Sequence, residues 1–276
     1  MRYGFVLPYG DARTAAQLAV LAEEHGWDGF FVWEPVWGID AWVSLTAAAM
    51  RTDRIRLGTM LTPLPRRKPW DVASQSATLD NLSGGRVILS VGLGAPEERW
   101  WLFEADPGRR ARAELLDEGL ELLTGLWRGE PFEYQGKHFR ARPARQLLPA
   151  PPVQRPRIPI WVVGAWPHPK SMRRAARYDG WLPAFVPRSG QHDELTPRVV
   201  REGRSWIATA RRADGLDGTY DVVVEGTSGG SGAKDTVQPW AEAGATWWLE
   251  ADWEVAPQDV VEVSGARLRE GPPRVE

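Results

Sequence analysis

The sequence has no cysteine, which excludes disulfides, thiolate metal ligands and a cysteine nucleophile together. It has no surplus of either charge. Lys and Arg total 34 against 36 Asp and Glu, a formal net charge of −2, so neither nucleic acid nor an anionic membrane is expected as a partner. Long hydrophobic runs are missing too. No stretch approaches the roughly 20 apolar residues of a membrane span. The apolar start, Tyr3-Gly4-Phe5-Val6-Leu7, is cut by Pro8 before it reaches the length of a secretory core. A cytoplasmic location is the expectation. The four histidines, His25, His138, His168 and His192, have no metal-ligand spacing, and no metal is expected. Gly92-Leu93-Gly94-Ala95-Pro96-Glu97 begins like a dinucleotide fingerprint but carries glutamate at the third glycine position. A Gly-x-Ser-x-Gly elbow is absent as well; Ser231 lies in a Gly-rich loop without the second glycine in register.

What is present is a regular alternation. Short apolar runs at 2–8, 28–33, 55–61, 86–91, 158–163, 180–185, 220–225 and 245–250 read as strands, and 28–33 is a continuous apolar run of the kind a doubly covered parallel strand shows. Helix-like stretches follow each. Asp11 or Thr14 can cap the first and Gly26 stop it, Asp40 can cap the second, and Pro69 and Gly84-Gly85 bracket the third. In the fourth, Leu116, Leu120, Leu123 and Trp127 form one stripe closed by Gly129. Helices are also expected near 169–178, along the face of Val199, Gly203, Trp206 and Ala210, around 236–243, and from Pro257. Eight strand–helix pairs in 276 residues predict an α/β fold: one (β/α)8 TIM-barrel domain spanning 1–276, since such barrels need about 250 residues. A doubly wound open sheet is the competing arrangement. The alternation breaks once, after the fourth helix. There a hairpin around Gln135-Gly136 and a Pro- and Arg-rich stretch form a short insertion at about 130–157.

In a parallel barrel the chemistry gathers at the C-terminal ends of the strands. Residues 163–171, Val-Gly-Ala-Trp-Pro-His-Pro-Lys-Ser, join a strand to a helix N-terminus, where backbone amides and the dipole favour an anion. Gly164 permits close approach, and Lys170 and Ser171 add a charge and a hydroxyl. Glu34 ends an apolar strand and points into the mouth if the alternation holds, where it could bond a cofactor or move a proton; pairing with a neighbouring arginine is the alternative. Trp37 could wall a planar ring or simply pack. Arg66, Arg67 and Lys68 form a cationic triplet, either solvated or facing an anionic tail.

The segment 55–94, IRLGTMLTPLPRRKPWDVASQSATLDNLSGGRVILSVGLG, resembles the central signature of the luciferase-like, flavin-dependent oxidoreductases. VVGAWPHPKSMRRAARYDGWLP is similar to that family's second signature, and GFVLP and AEEHGWDGFFVWE agree with its N-terminus. The likeness covers residues 1–185 and thins beyond 190. It implies a barrel holding reduced FMN or the deazaflavin F420 at the C-terminal face, the ring against the ends of the second to fourth strands, with Met60, Leu61, Gly92 and Gly94 among the cofactor contacts. A non-prolyl cis peptide is implied at Met60-Leu61, making a bulge behind the ring. The cofactor phosphate is implied at Gly164, Ala165, Trp166, Lys170 and Ser171, with Arg66 toward an acidic tail, and Glu34 and Trp37 at the chemistry. Many relatives carry an acidic residue followed by histidine where this chain has Glu34-Pro35. The small-molecule substrate is expected to be apolar or aromatic, from walls such as Trp37, Trp70, Trp100 and Trp101. An FMN enzyme would use a separate flavin reductase, and a homodimer is the expected assembly. The competing readings are a cofactor-poor barrel acting as an accessory protein, motivated by the missing histidine, and a cofactor-free hydrolase or isomerase built on Glu34, Glu97 and Glu98.

Overall fold

Apolar runs bounded by Gly, Asp and Pro become strands and the stretches between them helices, and their order is strictly alternating. The computed structural model describes residues 1–94, 102–143, 150–187, 193–230 and 232–275. The strands are β1 (Arg2–Leu7), β2 (Gly29–Val32), β3 (Arg56–Thr59), β4 (Val87–Val91), β5 (Tyr134–Gln135), β6 (Arg140–Ala141), β7 (Ile160–Trp166), β8 (Gly180–Phe185), β9 (Asp221–Gly226) and β10 (Trp247–Glu250). The helices are α1 (Ala12–Glu24), α2 (Ala41–Ala49), α3 (Pro69–Ser83), α4 (Arg109–Leu126), α5 (Pro169–Ala176), α6 (Pro197–Ala213), α7 (Ala233–Glu242) and α8 (Val260–Arg269). All but β5 and β6 close into one barrel in the order β1-β10-β9-β8-β7-β4-β3-β2. The neighbours pair in parallel throughout, and β1 bonds both β2 and β10. The (β/α)8 expectation is therefore met, and the open sheet is excluded by closure.

The local signals act as their chemistry requires. Asp11 accepts the Thr14 amide at 2.7 Å and Asp40 the Val43 amide at 3.0 Å, so each caps its helix. Gly84 ends α3 in the left-handed region at φ 68°, which a Cβ would disfavour. The insertion opens with the antiparallel pair β5–β6, Gly136 N–H closing on Phe139 O at 2.9 Å. Among the described residues no helix is long and apolar enough to cross a membrane.

Two boundaries differ from the sequence reading. β7 runs on through Trp166, paired with Phe185 of β8, so Gly164, Ala165 and Trp166 are strand rather than loop. The strand can continue because Gly164 leaves room for the Trp181 ring, whose Nε1 donates to Gly164 O at 2.9 Å. α4 begins at Arg109, well before its leucine stripe.

The two-residue period of the strands divides the interior into two cores. Val32, Leu57, Leu89, Val162, Val222 and Val224 face the helices. Val6, Phe31, Met60, Ile88, Trp161, Leu182, Val223, Trp247 and Leu249 fill the barrel lumen. There Phe31 stacks on Trp161 at 5.4 Å, and Trp161 meets Trp247 at 5.2 Å. These rings plug the lower lumen, leaving function to the upper rim.

Candidate functional site

The rim is built where β2, β3, β4 and β7 end side by side. Past Thr59 the chain makes a cis peptide bond at Met60-Leu61, as the resemblance implied. Met60 turns into the lumen, 7% exposed, with Leu61 packed beside it. Gly92, just past β4, sits between this segment and β7: a Cβ there would stand 3.1 Å from Leu61 and 3.2 Å from Val163. Two stretches a hundred residues apart in sequence thus meet across one glycine, on one rim. Below Gly92 on the same wall, the buried Ser90 hydroxyl has no hydrogen-bond partner among the described residues.

Glu34 takes the other option the sequence left open. It follows the parity of Val32, which faces the helices, and only 6% of it is exposed. Its Oε2 accepts from the Thr62 hydroxyl at 2.6 Å, and Thr62 Oγ1 lies 2.9 Å from Thr59 Oγ1. Oε1 is paired with Arg67, which also donates to Gln75 of α3 at 2.7 Å. Burial pushes the Glu34 carboxyl above its ordinary value, while Arg67 and the Thr62 hydroxyl pull it back. The carboxylate that the alternation was expected to aim into the mouth is instead a buried clamp holding the segment after Met60-Leu61 to α3. The alternation itself is the reason: Glu34 stands two residues after Val32 and so shares its helix-facing side.

The cationic triplet is divided in the same way. Arg67 belongs to Glu34; Arg66 lies 3.5 Å from Glu104 and packs its Cδ beside Gly94; Lys68 is exposed, its ammonium 5.8 Å from the Trp70 ring. Gly94 has φ 77°, and Arg112 of α4 holds the strand end from outside by donating to Gly94 O at 2.8 Å.

Across the rim, Gly164 points its missing side chain toward Trp181 and Ala175 of α5. Its glycine identity serves helix–barrel packing, not the close approach of an anion read from sequence. Ala165 faces the lumen side and donates its amide to Ser171 Oγ at 2.9 Å, tying the top of β7 to the first turn of α5. Trp166 turns outward against the helix-side core. Trp166-Pro167 is cis, and His168 Nε2 lies 2.9 Å from Val186 O. Lys170 is exposed at the opening of α5, whose first intrahelical bond is Met172 N–H to His168 O at 3.0 Å. Trp37 is 84% exposed on the loop after β2, apart from the rim contacts just described. Ala95, Glu97, Glu98, Trp100, Trp101, His192 and Ser231 lie outside the described residues.

The residue sequence reasoning missed is Glu225. In β9, Val222 and Val224 face the helices and Val223 the lumen. Glu225 shares Val223's side one step nearer the mouth, in register with lumen-facing Leu249. It is exposed at the strand's C-terminal end, and the protein packed around it pushes its carboxyl up to about 7. The signal was readable, since Asp-Val-Val-Val-Glu-Gly places a carboxylate on the parity of an inward valine at a strand's C-terminal end.

A closed parallel barrel with an apolar rim and a carboxyl at the C-terminal mouth is the architecture of a TIM-barrel enzyme. A family model described as luciferase-like monooxygenase matches residues 2–218. The chain is 34% identical over 272 residues to an uncharacterised protein of Mycobacterium tuberculosis (strain ATCC 25618 / H37Rv), covering 89% of this chain and 90% of that one. It is 33% identical over 241 residues to the F420-dependent glucose-6-phosphate dehydrogenase of Nakamurella multipartita, covering 82% and 67%. The chain belongs to the luciferase-like monooxygenase family and is an oxidoreductase. In fold it resembles an F420-dependent secondary alcohol dehydrogenase solved with an F420-acetone adduct, at TM-score 0.77 and 16% identity over 96% of this chain and 97% of that one. It likewise resembles the FMN-bound oxygenating constituent of 3,6-diketocamphane monooxygenase from Pseudomonas putida, at TM-score 0.65 and 22% identity over 82% and 67%.

Proposed function

We propose that this barrel binds a flavin-type cofactor at its C-terminal rim and moves a hydride between it and a small, largely apolar substrate, with F420 as the cofactor in preference to FMN. The observation that carries the reading is the apolar platform of Met60, Leu61, Gly92 and Val163, where two distant segments meet. The residues fit such a group on two counts. A side chain at 92 would fill the space between Leu61 and Val163, and the buried Ser90 hydroxyl on the same wall has no partner among the described residues. The preference for F420 is supported by two relatives, 33% and 30% identical, that are F420-dependent glucose-6-phosphate dehydrogenases.

Met60, Leu61 and Gly92 would hold one face of the ring. Ala165, Lys170 and Ser171 would receive the cofactor's phosphate, Lys170 supplying charge at a helix N-terminus. Arg66, beside Gly94, would lie toward an acidic tail. When bound, the cofactor supplies a two-electron hydride carrier that the side chains of this protein lack. The chain's own contribution is to orient and dehydrate. Glu34, Thr62 and Arg67 fix the segment carrying Leu61, and the valine and leucine walls of the lumen exclude water from the reacting face. With F420 no flavin reductase is needed; an FMN enzyme would draw reduced flavin from one.

The test is a titration of the purified protein with F420, FMN and reduced FMN, followed by cofactor fluorescence. Micromolar binding of F420 with weaker binding of both flavins is the expected result. Indifference to all three would return the chain to the accessory-protein reading.

A further inference from the structure

Hydride transfer to or from a carbon that bears oxygen needs a partner for the proton on that oxygen. The carboxyls near the barrel are nearly all committed. Glu34 is bound by Arg67 and Thr62. Glu250 faces α8 and is bound by Ser228, Trp248 and Arg267. Asp221, at the opposite end of the strands, is bound by Arg2, Thr246 and Trp161. Glu225 alone among these has no hydrogen bond or ion pair to any described residue, and it stands in the mouth.

The groups that face it from neighbouring strands are apolar: Leu249 and Ala251 from the β10 side, and Leu182 and Ala184 on β8. None of them titrates, and no charged side chain shifts the carboxyl in either direction; removal from water is the sole cause of its raised value. A carboxyl in this setting is divided between acid and base near neutrality, as a group that must both donate and accept a proton requires.

We propose that Glu225 is the catalytic acid–base of this enzyme, exchanging a proton with the oxygen of a carbonyl or alcohol substrate held at the barrel mouth. The proposal rests on the cofactor reading above. In the reducing direction the carbonyl carbon takes a hydride from the reduced deazaflavin, which is thereby oxidised. The C=O π pair moves to oxygen, and that oxygen takes the Glu225 proton. Water then reprotonates the carboxylate, so ketone, reduced cofactor and one proton become alcohol and oxidised cofactor. Alcohol oxidation is the reverse, with Glu225 as base.

The experiment compares the wild type with E225Q and E225D, using reduced F420 with cyclohexanone as the probe. Carbon-13 NMR of glutamate-labelled protein without cofactor should show a carboxyl titrating near 7 that disappears in E225Q. F420 affinity should stay within about twofold in E225Q, while turnover falls about 10²- to 10⁴-fold and the pH limb near neutrality is lost. E225D should recover part of the turnover and the limb. Turnover in E225Q equal to wild type, a Glu225 carboxyl titrating in the ordinary carboxylate range, or a wild type that binds reduced F420 without reducing cyclohexanone would overturn this proposal alone. A wild type that binds no F420 overturns the cofactor reading and this proposal with it.

Discussion

Replacing Arg67 by methionine strips the buried Glu34 carboxylate of its ion-pair partner while keeping the apolar stem of the side chain. Glu34 is 6% exposed, and Thr62 would remain as its one other hydrogen-bond partner. Breaking a buried pair from one side typically costs about 3–5 kcal/mol, because the remaining charge is stranded. The Arg67 side chain is 26% exposed, so we expect the low end, about 3 kcal/mol at pH 7, or a fall of roughly 6–12 °C in Tm. The pH dependence follows from the direction of the shift. Burial already holds the Glu34 carboxyl above its ordinary value of 4.5, so the folded state binds that proton more tightly than the unfolded chain. Its contribution to stability is fully present below the ordinary value and is lost as pH rises through the raised one. Without Arg67 the carboxyl rises further. The variant's deficit should therefore be large at pH 7 and shrink toward pH 4.5. Urea denaturation monitored by tryptophan emission at several pH values measures this. Arg67→Met with Glu34→Gln should recover most of the loss, since no charge is left to strand. A single variant within about 0.5 kcal/mol of wild type at every pH, the range of an ordinary surface change, would refute the buried-clamp argument.

Gly92→Val should fill the space between Leu61 and Val163 and weaken F420 binding by at least about tenfold, a loss near 1.4 kcal/mol, with the circular dichroism spectrum unchanged. Lys170→Ala should weaken binding several-fold and reduce its dependence on salt, as removal of one charge from a phosphate site does; isothermal titration at two ionic strengths reads both effects. Gly203→Ala drives a methyl into the Trp181 ring and should cost about 1–3 kcal/mol by overpacking, with Trp181→Phe in the same chain easing the clash, both followed by thermal melts.

The barrel was legible because its strands are buried on both faces: runs such as GFFV and VILSV need no alternation to be recognised, and Asp11, Asp40 and Gly84 mark the helix ends by their own chemistry. The rim was less legible. Where a side chain points at a strand's end depends on where regular pairing stops, which is a property of the neighbours. Glu34 was left between the mouth and an arginine pairing, and Gly164 was read as opening a phosphate loop, because the partners that decide, Arg67 and Trp181, lie 33 and 17 residues away. Glu225 escaped notice for the opposite reason. Its local sequence carries no catalytic motif, and only the parity of Val223 tells that it looks inward.

The closure of β1 onto β10 has a consequence for how the chain is made. The first strand emerges with Leu7, but one of its two edges bonds Trp247 to Glu250. Throughout most of synthesis that edge, and the free side of whichever strand came last, stay exposed as templates for other chains. The Val275 amide donates to the Tyr3 hydroxyl at 2.8 Å, so the segment after α8 also secures β1. A chain stalled before residue 247 would therefore hold an open, adhesive sheet, and such truncated chains should bind chaperones more than the closed barrel does.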